Sequence, residues 1–142
     1  MADFIRIVFP ISMVSVRLAD DIFDAIARNV TGDAKTVFNI RLVLSEVFSN
    51  AFLYGEKQSA NAVIEFKGCF NEHIFVASII NEGEGFTDNA IEWNKFPAAM
   101  EESGRGLKII RQLCDKLEFR KHSDNKFETY LEINTGIKVT KD

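Results

Sequence analysis

Residues 42–55 read LVLSEVFSNAFLYG, and the way this run folds decides how the rest of the chain is arranged. At about 100° per residue, Val37, Ile40, Leu44, Val47 and Ala51 fall on one stripe, which predicts a long helix with one apolar side. Glu46 and Asn50 lie four residues apart and therefore stack on the flank of that stripe. A carboxylate and an amide held beside a core can both face one small volume, a setting for a polar ligand, a metal ion or both. Taken alone, two ordinary polar positions on a helix are the commoner reading. Two glycine-rich turns further along change that balance.

Upstream, residues 4–9 alternate weakly and are bounded by Pro10, which predicts a strand. A helix is expected from about Ser15, with Leu18, Ile22, Ala25, Ile26 and Val30 at helical spacing. Thr31-Gly32 ends it, and Asp33 can cap the next helix by accepting from its first free amides. That second helix carries Glu46 and Asn50 and stops at Gly55, which tolerates a left-handed closing conformation. Downstream, residues 62–70 and 73–81 read as two strands around a turn at Asn71-Glu72. Ile64 and Phe66 alternate with Glu65 and Lys67, while residues 75–80 are nearly all apolar and look central to a sheet. Asn81-Glu82-Gly83-Glu84-Gly85 breaks the second of these strands. Residues 86–103 are expected to be mostly loop, and Gly104-Arg105-Gly106 to open a third helix with Leu107, Ile110, Leu113, Cys114 and Leu117 on its buried side. Strands at 117–121 and 127–133 close the chain around Ser123-Asp124-Asn125. The fold class expected is α+β: a two-layer α/β sandwich, with a mixed sheet of about five strands and three helices on one face.

A length of 142 residues suits one domain with a real core, and 46% hydrophobic with 27% charged residues fits a globular chain. The net charge of -4 argues against a phosphate-backbone binder, so no direct nucleic-acid contact is expected. No apolar run approaches the roughly twenty residues of a membrane span. The apolar start has Asp3 early and lacks a basic leader, so it reads as a first strand and not as a signal peptide. Cys69 and Cys114 stand apart in apolar surroundings, which fits a reducing cytoplasm better than a disulfide frame. His73 and His122 read as lone surface residues. Thirteen Phe exceed what a small core needs. Phe38, Phe48 and Phe52 fall off the main stripe and could face a second layer or a partner.

Three elements carry chemistry: E-x-x-x-N on a helix (Glu46, Asn50), N-x-G-x-G after a central strand (Asn81, Gly83, Gly85), and G-x-G at a helix start (Gly104, Gly106). Glycines at a strand end let backbone approach a flat ring or a phosphate closely. Glycines at a helix N-terminus leave amides and the positive end of the dipole facing an anion. An amide oxygen such as that of Asn50 suits Mg²⁺, which keeps several waters and is shared with phosphates. Glu46, one turn away, can orient or deprotonate a nucleophile. Together they describe a nucleotide site.

In this order and spacing the chain resembles the GHKL ATPases, which share the Bergerat ATP-binding fold, and among them the small bacterial anti-sigma factor serine kinases. Residues 44–51 (LSEVFSNA) are similar to the N box of that family. Residues 80–86 (INEGEGF) are similar to its first glycine box, and 103–107 (SGRGL) with the helix after them to its second. The resemblance implies one histidine kinase-like ATPase domain over residues 1–134 and a tail over 135–142. It implies Glu46 as catalytic base, Asn50 as Mg²⁺ ligand, Gly83 and Gly85 shaping the adenine pocket, and Gly104, Arg105, Gly106 and Leu107 holding the phosphates of ATP. Thr129 would support the adenine. The implied partners are a sigma factor and a STAS-domain anti-sigma antagonist, in a cytoplasmic homodimer.

Where the family has Asp to accept from the adenine amino group, this chain has Asn81. An amide keeps one acceptor oxygen but loses the charge that makes such a bond roughly twice as strong, so weaker adenine binding is expected. Tyr54 stands where many relatives have His. Two other readings are a non-catalytic binding module with weakened or lost nucleotide binding, motivated by Asn81, and a histidine-kinase ATPase domain. The last is disfavoured by the short segment between the glycine boxes and by the lack of a helix with a phospho-accepting His ahead of the first strand.

Overall fold

Strand β1 (Asp3–Pro10) leads into Ser12, whose hydroxyl accepts from the Ser15 amide at 3.3 Å and caps helix α1 (Met13–Val30). The computed structural model describes residues 3–55, 61–71, 73–83, 101–122 and 125–136. Helix α1 ends at Thr31, and Asp33 starts α2 (Ala34–Gly55) as expected. Its carboxylate accepts from the Thr36 amide at 2.9 Å and from the Thr36 hydroxyl at 2.6 Å. Those bonds hold the Asp33 carboxyl below its ordinary pKa. Strands β2 (Val63–Phe70) and β3 (Ile74–Glu82) follow, then α3 (Glu101–Leu113), β4 (Lys116–His122) and β5 (Lys126–Asn134).

The sheet order is β1-β2-β3-β5-β4, so β3 is central, as its apolar run implies. All four ladders among the described residues are antiparallel, where a mixed sheet was expected. The β4–β5 hairpin folds β5 back beside β3, and that return reverses its direction relative to both neighbours. Asn125 makes the return with a positive φ of 60°, a conformation that Asn tolerates better than most residues.

Helix α2 packs against α1, α3 and the strands β2 and β3. The core lies between these helices and one face of the sheet. Phe9, Phe66, Phe75, Ile79, Leu131 and Ile133 point into it from the strands, and Ile40, Leu44, Val47 and Ala51 from α2. Phe48, which falls off the main stripe, is itself buried. Its ring meets Phe9 edge-on at 5.1 Å and Phe23 at 5.8 Å, so the second layer it faces is α1. Fully burying one such ring stabilises the fold by about 1.5–3 kcal/mol. Phe52 is half-buried against the core, and Phe38 is exposed.

The spacing misplaces two details. The buried face of α1 is Ala19, Phe23, Ile26 and Ala27, while Leu18 and Ala25 turn outward. Burying the Phe23 ring sets that rotation. Helix α3 begins at Glu101, three residues before the glycine pair expected to open it. Of the tail, Thr135 and Gly136 donate their amides to the His73 carbonyl at 2.7 and 3.2 Å. Residues 137–142, the link 56–60, and residues 84–100 lie outside the described residues, and with them Gly85.

Candidate functional site

Glu46 and Asn50 lie one turn apart on α2, which packs against α3 and β3. Asn50 is 7% exposed, and its Nδ2 is the one buried side-chain polar atom among the described residues that lacks a hydrogen-bond partner. An orphaned buried donor costs about 1–3 kcal/mol, and native proteins keep such groups rarely and for a reason. The two ends of a side-chain amide exchange by a half-turn. The position can therefore offer a donor to an anionic oxygen or an acceptor to a hard cation. No group of three or more His, Cys, Asp or Glu is arranged to hold a metal among the described residues. That donor set fits Mg²⁺, which takes one or two protein ligands and fills its shell with water and phosphate oxygens.

Glu46 is half-buried and rests against Gly106 of α3. A Cβ added at residue 106 would overlap the Glu46 carboxylate oxygen, so the missing side chain makes room for the carboxylate. Sequence reasoning gave Gly106 to the phosphates and did not pair it with Glu46. A glycine inside an otherwise good helix pattern is the signal that could have found this close approach. Because α3 starts at Glu101, its free amides are those of the first turn. Gly104 stands at the edge of that set, whereas the Gly106 and Leu107 amides fall within the helix. The Leu107 side chain is buried in the core. The side chain of Arg105 lies outside the described residues.

Asn81 and Thr129 lie on the sheet, on β3 and β5. Along β3, Phe75, Ala77, Ile79 and Asn81 alternate onto the helix side, and Asn81 is 3% exposed at the end of that row. On β5 the matching row is Phe127, Thr129, Leu131 and Ile133. Asn81 faces Phe127 and Thr129 faces Ile79, which places the two polar groups diagonally on neighbouring strands. Asn81 Nδ2 donates to the Glu82 carbonyl at 3.0 Å, so its Oδ1 is the end left to accept. Gly83 is buried at φ 116°, a conformation that disfavours any side chain, and its amide donates to the Asn125 carbonyl at 2.8 Å. The structure thus brings Glu46 onto Gly106 and sets Asn81, Gly83 and Thr129 at one end of the sheet.

A sequence model of the histidine kinase-like ATPase domain matches residues 9–132. The chain belongs to that family. Membership makes it a GHKL-type ATPase domain, a kind of domain that binds ATP. No curated protein matches the sequence. Among solved structures, this histidine kinase-like ATPase domain is similar to a chain in the crystal structure of the SiaB-SiaC complex from Pseudomonas aeruginosa. The TM-score is 0.57 at 14% identity, over 92% of this chain and 89% of that one. At that identity the likeness is one of fold.

The far face of the sheet carries a cluster that the sequence did not announce. Ser78 Oγ donates to Glu128 Oε2 at 2.5 Å, and His122 Nε2 lies 2.9 Å from Glu128 Oε1. Arg120 stacks over the Tyr130 ring at 4.1 Å. Burial raises the Glu128 carboxyl, but the bonds from Ser78 and His122, with Arg120 nearby, outweigh it and leave its pKa below the ordinary value. His122 is at the surface as expected, yet it is paired. Cys69 and Cys114 are free thiols, and burial pushes that of Cys114 up to about 12. No helix among the described residues is long and apolar enough to cross a membrane.

Proposed function

We propose that the chain is a cytoplasmic anti-sigma factor serine kinase, which binds Mg-ATP, phosphorylates a STAS-domain antagonist and holds a sigma factor. The observation that carries this reading is the orphaned Asn50 amide beside Glu46, in a chain of the histidine kinase-like ATPase family. The SiaB-SiaC likeness supports a protein partner.

Asn50 would ligate Mg²⁺, and the free amides of the first turn of α3, up to Gly104, would face the phosphates with Arg105 beside them. Asn81 Oδ1 would accept from the adenine amino group, with Gly83, Gly85 and Thr129 around the ring. Magnesium, when bound, draws charge from the triphosphate. Glu46 accepts the proton of the attacking serine hydroxyl. The serine oxygen forms a bond to the γ-phosphorus as the β–γ bridging bond breaks, and ADP leaves. Glu46 is held for that task by its seat on Gly106.

Incubation with Mg-ATP and a cognate STAS-domain antagonist should yield phosphoserine on that protein, and Glu46→Gln should abolish the transfer while ATP still binds. Transfer unchanged by Glu46→Gln would overturn the role of Glu46. A second reading, a binding module that senses nucleotide without transferring phosphate, is favoured by Asn81. It is distinguished by ATP binding with no phosphoserine from the unaltered chain.

A further inference from the structure

Phe38 lies twelve residues before Asn50 on α2, about 18 Å along the helix axis, and is 60% exposed. A lone exposed apolar side chain needs no explanation, but this one stands between two hollows. The smaller, of about 250 Å³, is bordered by Phe38, Asp20 and Ser45. Ser45 Oγ donates to Asp20 at 2.9 Å, so its polar groups are already paired.

The larger hollow, of about 360 Å³, lies where α1 turns into α2 and is built differently. Its cations are Arg28, in the last turn of α1, and Arg41 on α2, and no Asp or Glu lines it among the described residues. Beside it Asp24 pairs with both guanidiniums through Nε, with Arg28 at 3.0 Å and with Arg41 at 3.0 Å. One carboxylate thus serves two cations. A positive charge is left over, and the Nη groups of both arginines remain to donate. An exposed guanidinium alone holds an anion weakly, because water competes. Two that are tied to one carboxylate lose less freedom when they close on a third group. The rest of the wall is largely apolar, with Ala34, Val37 and Phe38. A free inorganic anion makes no use of such a wall, whereas an acidic side chain with an apolar neighbour uses both halves.

We propose that this hollow docks an acidic segment of a protein partner. An Asp or Glu carboxylate of the partner accepts from the Nη groups of Arg28 and Arg41, and an adjacent aliphatic or aromatic side chain covers Phe38. Arginine and aromatic side chains are the groups that interfaces concentrate where binding is strongest. The net charge of -4 favours this place over others, since an acidic partner is repelled by the chain as a whole and meets a local excess of positive charge here. The hollow is remote from Asn50 and does not rest on the nucleotide reading, so docking should be equal with and without Mg-ATP.

Panning a random peptide display library against the folded full chain tests this, with a thermal melt of each variant to confirm folding. Recovered peptides should be enriched in Asp or Glu next to Leu, Ile or Phe. A synthetic copy of one should lose affinity about tenfold or more on Arg41→Gln and on Phe38→Ser, with unchanged melts, and its binding should weaken as salt rises. Lys67→Gln, which removes the same charge from the sheet, should leave the affinity unchanged. Peptides without acidic enrichment, an affinity indifferent to Arg41→Gln, or displacement of the peptide by phosphatidylserine vesicles would overturn the proposal.

Discussion

At Gly106 one missing methyl group separates two effects that normally move together. Alanine is favoured over glycine within a helix by about 1 kcal/mol, so Gly106→Ala should leave stability equal or slightly higher. Its Cβ, however, would take the space of the Glu46 carboxylate. Displacing a catalytic group by about 1 Å can cost a factor of about 100, so phosphoserine formation should fall steeply. A urea melt and a transfer assay on one preparation check both signs. Asn81 gives the second residue-scale prediction. Asn81→Asp replaces a neutral acceptor by a charged one and should tighten adenine nucleotides about fivefold, on the order of 1 kcal/mol. It also loses the Nδ2 donor to the Glu82 carbonyl, so the nucleotide-free protein should melt lower. Calorimetric titration and a thermal melt read the two effects. The residue types at both positions were legible in the sequence. The contact between Glu46 and Gly106 was not, because helical periodicity places residues around an axis and says nothing of which helix passes alongside.

At the scale of elements, the order of strands and helices and the Asp33 cap followed from turn residues and periodicity. The rotation of α1 and the start of α3 did not. Leu18 and Ala25 fit the apolar spacing of α1 as well as Phe23 does, and only packing against Phe48 and Phe66 selects the face that buries the larger ring. Phe48→Ala should therefore cost about 3–5 kcal/mol, measured by chemical denaturation, although Phe48 lies off the main stripe of its helix. The Ser78–Glu128–His122 cluster was invisible for a different reason. It joins three strands through register, which no local pattern encodes. Because the folded carboxyl of Glu128 sits below its ordinary value of 4.5, its contribution is complete above that pH and lost as the pH falls through the lower folded value. Ser78→Ala should weaken that acid-side dependence, seen as a shallower loss of stability between neutral and strongly acidic pH.

Across the whole molecule, an antiparallel sheet with helices on one side sets a polar end of the core between α2, α3 and the last residues of β3. The side chains Glu46, Asn50, Asn81 and Thr129 come from three separated stretches of sequence. The central claim is that this end binds Mg-ATP through Asn50, whose buried amide lacks a partner without it. Ligand held by the folded state alone stabilises it by about 2.7 kcal/mol at one hundred times the dissociation constant. The most direct measurement is calorimetric titration of Mg-ATP into the unaltered chain and into Asn50→Leu, with a thermal melt of each nucleotide-free protein. Saturable binding that vanishes in Asn50→Leu, with a nucleotide-free melt equal to or above that of the unaltered chain, is the predicted result. No heat from the unaltered chain, or equal binding by both, would contradict the account.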